Sequence, residues 1–163
     1  MHAVIKNNSI VQTIQPFTRL IVDGNDYGSN WSVNKTVQEL AAIGVVEIVE
    51  QPEADQRFYW TGSSVELLDG VPTRVQTATP KDLEQLKTQW TAQIKATANT
   101  LLAQTDWAVV RKMDIGTDVP AEIATQRTAV RTEYDRLTTA IAAATTVDEL
   151  IATVSAQTWA APD

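Results

Sequence analysis

Along the first half of the chain, apolar residues alternate with polar ones in short runs separated by turn-forming residues, the period-two signature of half-buried strands. Ala3-Val4-Ile5-Lys6 and Ile10 to Ile14 flank Asn7-Asn8-Ser9, and asparagine tolerates the positive φ that a tight hairpin turn requires. A second hairpin fits Thr18 to Val22 and Asp23-Gly24, with Tyr27 and Trp31 beyond it. Thr36-Val37-Gln38-Glu39 has capping-box spacing, and Gly44 is placed to close the short helix that follows. Strand character returns in Val45 to Val49, which alternates around Glu47, and in the three aromatics within Arg57 to Thr61. Val65 to Leu68 and Thr73 to Thr77 then flank an Asp69-Gly70 turn, giving about six or seven strands and one short helix in all.

The period changes near Thr79. Thr79-Pro80 predicts a helix start, because threonine caps and proline at the first helical position loses no needed hydrogen bond, and Asp82 suits the helix dipole. Leu83, Leu86, Trp90, Ile94, Thr97 and Leu101 recur at steps of three and four, widened by Ala98 and Leu102, and predict one long amphipathic helix. Asp114 to Asp118 interrupts it as a loop, and Pro120 opens the next helix. There Ile123, Arg127, Val130, Tyr134, Leu137, Ile141 and Ala144 form a heptad seam. Thr146-Val147-Asp148-Glu149 repeats the capping-box spacing ahead of Leu150, Ile151 and Val154, a last short helix before the tail Ala160-Ala161-Pro162-Asp163. The pattern predicts an α+β chain: an N-terminal antiparallel β-rich, sandwich-like domain over residues 1–79, then a C-terminal α-helical domain over 80–163 containing the heptad helix.

Composition supports that division. Five of the six glycines precede residue 79, while alanine and threonine concentrate after it. The 163 residues are 44% apolar and 20% charged, ordinary for a globular chain, and the net charge of −7 repels phosphate backbones, so no nucleic acid partner is expected. Both halves are acidic, with net charges of −4 and −3. The absence of cysteine removes disulfides, thiolate metal sites and cysteine nucleophiles. His2, the only histidine, is read as an inert terminal side chain, which leaves no histidine base for a catalytic triad. The longest apolar stretch, Ala41 to Val46, is far short of the roughly 20 residues that cross a bilayer, so no membrane partner is expected. The N-terminus lacks the apolar block of a secretory signal, and a soluble, cytoplasmic protein is expected.

The short motifs that cradle phosphate or nucleotide, or that carry acyl-transfer or zinc chemistry, do not occur. Asp23-Gly24-Asn25-Asp26 lacks the spacing and terminal glutamate of a calcium loop and reads as a hairpin turn. Glu47, Glu50, Glu53 and Asp55 read as a solvated acidic edge and not as a glycosidase pair. No catalytic residue, cofactor or metal is therefore assigned. Aromatic side chains are favoured interface anchors, which makes Tyr27, Trp31, Phe58, Tyr59 and Trp60 candidates for binding a partner, with Phe58 and Trp60 on one strand face and Tyr59 on the other. Core is the competing role for each ring. Trp90 and Trp107 are expected in the core of the helical half. The seam of Ile123, Arg127, Val130, Tyr134, Leu137 and Ile141 fits packing within one chain or between subunits. Arg127 favours the shared seam, where it sets register or reaches a carboxylate such as Glu133 or Asp135.

The run Trp90-Thr91-Ala92-Gln93-Ile94-Lys95, continuing to Leu101-Leu102-Ala103-Gln104-Thr105-Asp106-Trp107, resembles the helical region of bacteriophage tail fibre assembly chaperones. The matching positions are Leu101, Leu102, Thr105, Asp106 and Trp107, followed by Val109-Val110-Arg111-Lys112 and the helix led by Pro120. The resemblance covers about residues 80 to 155, and Gly24 to Trp31 and Glu39 to Val45 are more loosely similar to the variable front regions of such proteins. Locally, Thr105 is expected to cap a turn, Asp106 to accept backbone amides and Trp107 to fold over the preceding helix end.

The resemblance implies a non-enzymatic protein that binds a phage tail fibre subunit and assists its folding and trimerisation without ATP. It implies a homotrimer joined through the C-terminal helices, in a complex with equal numbers of fibre chains, acting in the host cytoplasm. Three binding modules around one fibre would raise effective concentration without a tight single contact. The competing expectations are a permanent component of the phage tail or baseplate and, more remotely, an enzyme working through Asp and Glu alone.

Overall fold

A computed structural model describes residues 1–160; Ala161, Pro162 and Asp163 of the expected tail lie outside them. The fold is α+β and divides into two compact units, Met1–Thr79 and Pro80–Asp163.

The first unit is built on hairpins. Strand β1 (His2–Lys6) pairs antiparallel with β2 (Ser9–Ile14), and Asn7 and Asn8 adopt φ of 49° and 56° at the turn. The two-residue strands β3 (Ile21–Val22) and β4 (Asn25–Asp26) form a second hairpin around Asp23 and Gly24, which have φ of 51° and 79°. Trp31 does not continue a strand but opens a short helix, α1 (Trp31–Asn34). Helix α2 (Val37–Ala42) begins with a complete capping box: the Thr36 hydroxyl accepts from Glu39 N, and the Glu39 carboxylate accepts from Thr36 N at 2.7 Å. Gly44 then turns the chain at φ 76° into β5 (Val45–Glu47), which pairs antiparallel with β1 to complete a sheet of order β2-β1-β5.

The segment expected as one strand from Val45 to Val49 is two. Ile48 is buried, donates its amide to Met1 O at 3.0 Å and separates β5 from β6 (Val49–Glu50). β6 joins a different sheet, pairing parallel with β8 (Val71–Pro80), whose other neighbour is β7 (Tyr59–Leu68). This parallel pair departs from the all-antiparallel expectation, because a strand that arrives from the first sheet meets β8 in the same sense. The front core gathers Val4, Ile14, Leu20, Trp31, Leu40 and Val45, with the Trp31 indole donating to Thr18 O at 2.8 Å. His2 is not inert. Its ring stands edge-on to Trp31 with centroids 5.0 Å apart, and burial, reinforced by the N-terminal charge, lowers its pKa.

The second unit is helical. The expected start at Thr79-Pro80 is corrected: both residues end β8, and Asp82 caps α3 (Leu83–Ala103) by accepting from Gln85 N at 2.8 Å. A residue preceding proline is biased toward extended backbone, which suits a strand end as well as a cap. The single long helix expected up to Asp114 is broken at Gln104-Thr105, and α4 (Asp106–Ile115) follows, closed by Gly116 at φ 74°. Pro120 leads into α5 (Ala121–Ala143), and Thr146 caps α6 (Val147–Ser155) through Glu149 N. The glutamate half of that second box is shifted, since Glu149 accepts from Thr145 N at 2.6 Å. Buried Leu86, Trp90, Ile94 and Ala98 of α3, Val130, Leu137 and Ile141 of α5, and Val147, Leu150 and Val154 of α6 form the core of this unit. Burying each large aliphatic side chain there contributes roughly 1.5–3 kcal/mol.

Gly44 is the backbone position least open to change. A Cβ there would lie 2.5 Å from Ile5 O, and the φ is left-handed. Gly44→Ala is expected to destabilise the fold by about 2–3 kcal/mol, read as a lower urea midpoint at unchanged slope.

Candidate functional site

The heptad residues of α5 face inward. Arg127, Val130, Leu137 and Ile141 are buried and Ile123 and Tyr134 half-buried in a single chain, with α5 packed on α3 and α6. The expectation of a seam between subunits is therefore corrected: helices of the same chain already cover these side chains. The carboxylate that Arg127 meets is likewise neither Glu133 nor Asp135. Its guanidinium pairs with Asp106 at 2.9 Å and, through the same Nη1, donates to Leu102 O at 2.7 Å and Thr105 Oγ1 at 2.8 Å.

Three of the five motif residues thus converge on one buried cation. Leu102 O lies at the C-terminal end of α3 and Asp106 in the first turn of α4, so the cation sits where one helix dipole is negative and beside an acid that the next dipole favours. The roles expected for the motif change accordingly. Thr105 makes no side-chain cap; its hydroxyl donates back to Leu102 O at 3.1 Å and accepts from Arg127. Asp106 serves Arg127, and Leu101 and Leu102 are half-buried.

Trp107 does not fold over α3 and does not join the core. It is 54% exposed, and along the same helix Val110 is 64%, Met113 85% and Ile115 64% exposed, with Ala108 the one buried residue of α4. Trp107, Val110 and Met113 follow at intervals of three and lie on adjoining positions of one helix face. A signal for this was present in the sequence. The stripe of α3, continued past Leu101 and Leu102, runs through Thr105 and Ala108, so the stripe itself loses its large side chains while Trp107, Val110 and Met113 fall beside it.

The front-half candidates separate. Trp31 and Phe58 are core residues, 1% and 0% exposed, and are withdrawn as partner contacts. Phe58 precedes β7 in a turn closed by its amide on Asp55 O at 2.9 Å, so it does not share a strand face with Trp60. Trp60 is exposed, Tyr59 is half-buried, and Tyr27 is half-buried against the front core with Lys35 Nζ 5.4 Å from its ring centroid.

Carboxylates that might have suggested chemistry are engaged structurally. Asp23 pairs with Lys6, Asp26 with Arg19, Glu50 with Arg74 and Asp55 with Arg57, and Glu53 accepts from Gln56 and Thr61. Among the described residues no group of three or more His, Asp or Glu side chains is arranged to hold a metal ion, and no helix is long and apolar enough to cross a membrane.

Glu133 organises the end of the chain. Buried on α5, it accepts from Arg136 Nε and Nη2, each at 2.7 Å, and from Thr158 N at 2.7 Å, while Arg136 reaches Ala156 O at 2.9 Å. The segment after α6 is thereby fastened to α5.

The chain matches no protein-family model, no curated protein and no solved structure.

Replacing Arg127 with Met strips Leu102 O and Asp106 of their cation. The expected cost is about 2–3 kcal/mol, with amide exchange in α4 accelerating more than in α3 or α6; equal acceleration throughout would show that α4 is not held by this contact. The Arg136 hydrogen bonds hold the Glu133 carboxyl below its ordinary pKa of 4.5, burial opposes them, and Thr158 N adds to the lowering. A depressed folded pKa means stability that is present above the unfolded value and lost as pH falls through the folded one. Melting temperature is expected to drop on acidification below about pH 4.5, and Glu133→Gln to lower the neutral-pH melting temperature while flattening that dependence.

Proposed function

We propose that the chain is a non-enzymatic bacteriophage tail fibre assembly chaperone that holds a fibre subunit during folding and trimerisation and acts in the host cytoplasm. The observation that carries the reading is the apolar face of α4, where Trp107, Val110 and Met113 stand in water on a helix tied down by Arg127. Large apolar side chains grouped on an exposed helix face mark protein contact surfaces. Such a face suits a client whose own apolar segments are exposed before it trimerises, and holding them needs no chemistry. The resemblance of Leu101, Leu102, Thr105, Asp106 and Trp107 to the fibre-chaperone motif supports the same client. The seam of α5 is spent on the chain's own core, so three chaperone copies are gathered by the trimeric fibre itself, one for each fibre chain. Trp60 on β7 supplies a second, smaller contact.

The experiment is co-expression with the neighbouring fibre gene, followed by light-scattering mass determination. A complex with equal numbers of the two chains is expected. The triple variant Trp107→Ser, Val110→Ser, Met113→Ser alters exposed positions, so it is expected to melt as the parent does and to lose the complex. Trp60→Ser is expected to weaken it less, and the opposite ranking would move the binding surface to the β-rich unit. A fibre that folds equally well alone, with no complex formed and with this protein found in purified particles, would overturn the proposal in favour of a permanent tail or baseplate component.

A further inference from the structure

Helices α3 and α5 leave a cavity of about 200 Å³ between them, lined by Lys95, Ala98, Asn99 and Leu102 from α3 and by Arg131 and Tyr134 from α5. The lining follows from helix geometry: residues 95, 99 and 102 fall four and three apart, residues 131 and 134 three apart, and each set shares one face. Buried Ala98 and half-buried Leu102 give it an apolar wall, and Asn99 and Tyr134 bring an amide and a hydroxyl.

Its charge is unusual for this chain. Among the described residues, Lys95, Arg111 and Arg131 are the side-chain cations that take no ion pair, hydrogen bond or ring contact. Two of those three line the same cavity, and no carboxylate lines it, although acids outnumber bases by 20 to 13. Two like charges beside one cavity repel, and an anion between them turns that repulsion into attraction. Size limits what the anion carries. A cavity of about 150 Å³ holds a benzene ring, so the volume here takes such a ring with one carboxylate attached.

We propose that this cavity binds a small monocarboxylic acid with an aromatic or similarly compact apolar body. Its carboxylate lies between Lys95 and Arg131, Asn99 and Tyr134 offer further polar contacts, and the body rests on Ala98 and Leu102. The site is separate from the apolar face of α4, and its test does not depend on the fibre.

Benzoate is the probe, titrated into the full-length protein while amide shifts are followed by NMR, with benzamide as the neutral control of the same shape. A ligand this small is expected to bind with a dissociation constant of about 1–10 mM. Shift changes should saturate and centre on residues 95–102 of α3 and 131–134 of α5. Lys95→Gln and Arg131→Gln should each weaken binding by about tenfold, since each removes one charge-assisted contact, and benzamide, which takes the charge from both, should bind more weakly still. Both substitutions are at exposed positions, and unchanged melting without benzoate would show that the fold is kept. Benzamide binding as well as benzoate, shifts scattered over the surface, or affinity indifferent to both substitutions would overturn the proposal.

Discussion

A guanidinium leaves water only where acceptors replace the water it loses. At Arg127 those acceptors are the last turn of α3, the Thr105 hydroxyl and the Asp106 carboxylate. The contact fixes where α3 ends and where α4 begins, and so sets the direction in which α4 leaves. Without it Asp106 would lose its cation, and α4, with Ala108 its one buried side chain, would have little to hold it. The exposed face of α4 is thus secured from outside that helix. A helix that buries so little of itself takes its position from a polar anchor.

Much of the fold was legible because its local chemistry is explicit. Asn7-Asn8, Asp23-Gly24 and Asp69-Gly70 take the positive φ that their turns require, and Thr36 and Glu39 form the box their spacing predicts. Period failed where tertiary contacts decide. Nothing local separates Thr79-Pro80 as a helix start from the same residues as a strand end, and only the ladder of β8 makes the choice. The heptad seam is real as a pattern but says nothing about whose helices cover it; α3 and α6 do so here. Arg127 shows the same limit, because its three acceptors lie 21 to 25 residues earlier on the other side of a loop, beyond any periodic signal. The aromatics divided for an equally nonlocal reason: Trp31 and Phe58 fill cores assembled from distant strands, while Trp60, two residues beyond Phe58, stays in water.

The two units hold themselves together differently. In the front unit many side-chain contacts are exposed ion pairs, among them Lys6 with Asp23 and Arg19 with Asp26, and each such pair contributes only about 0–1 kcal/mol. Its stability rests on the small core around Trp31 and on turn geometry. In the helical unit the long helices bury aliphatic rows, and threonines such as Thr97, Thr100 and Thr128 return their hydroxyls to the carbonyl four residues earlier, which satisfies them on exposed faces.

The parallel pairing of β6 with β8 has a consequence for the order of events in folding. Glu50 and Arg74, which face each other there, are 24 residues apart, and β7 and its turn into β8 lie between them. A ribbon closed by a two-residue turn forms in microseconds, whereas the parallel pair must first bring distant segments together and bear that loop-closure entropy. β6 therefore docks after the ribbon exists. Because Ile48 joins β6 directly to β5, that late step also links two of the three sheets of the front unit.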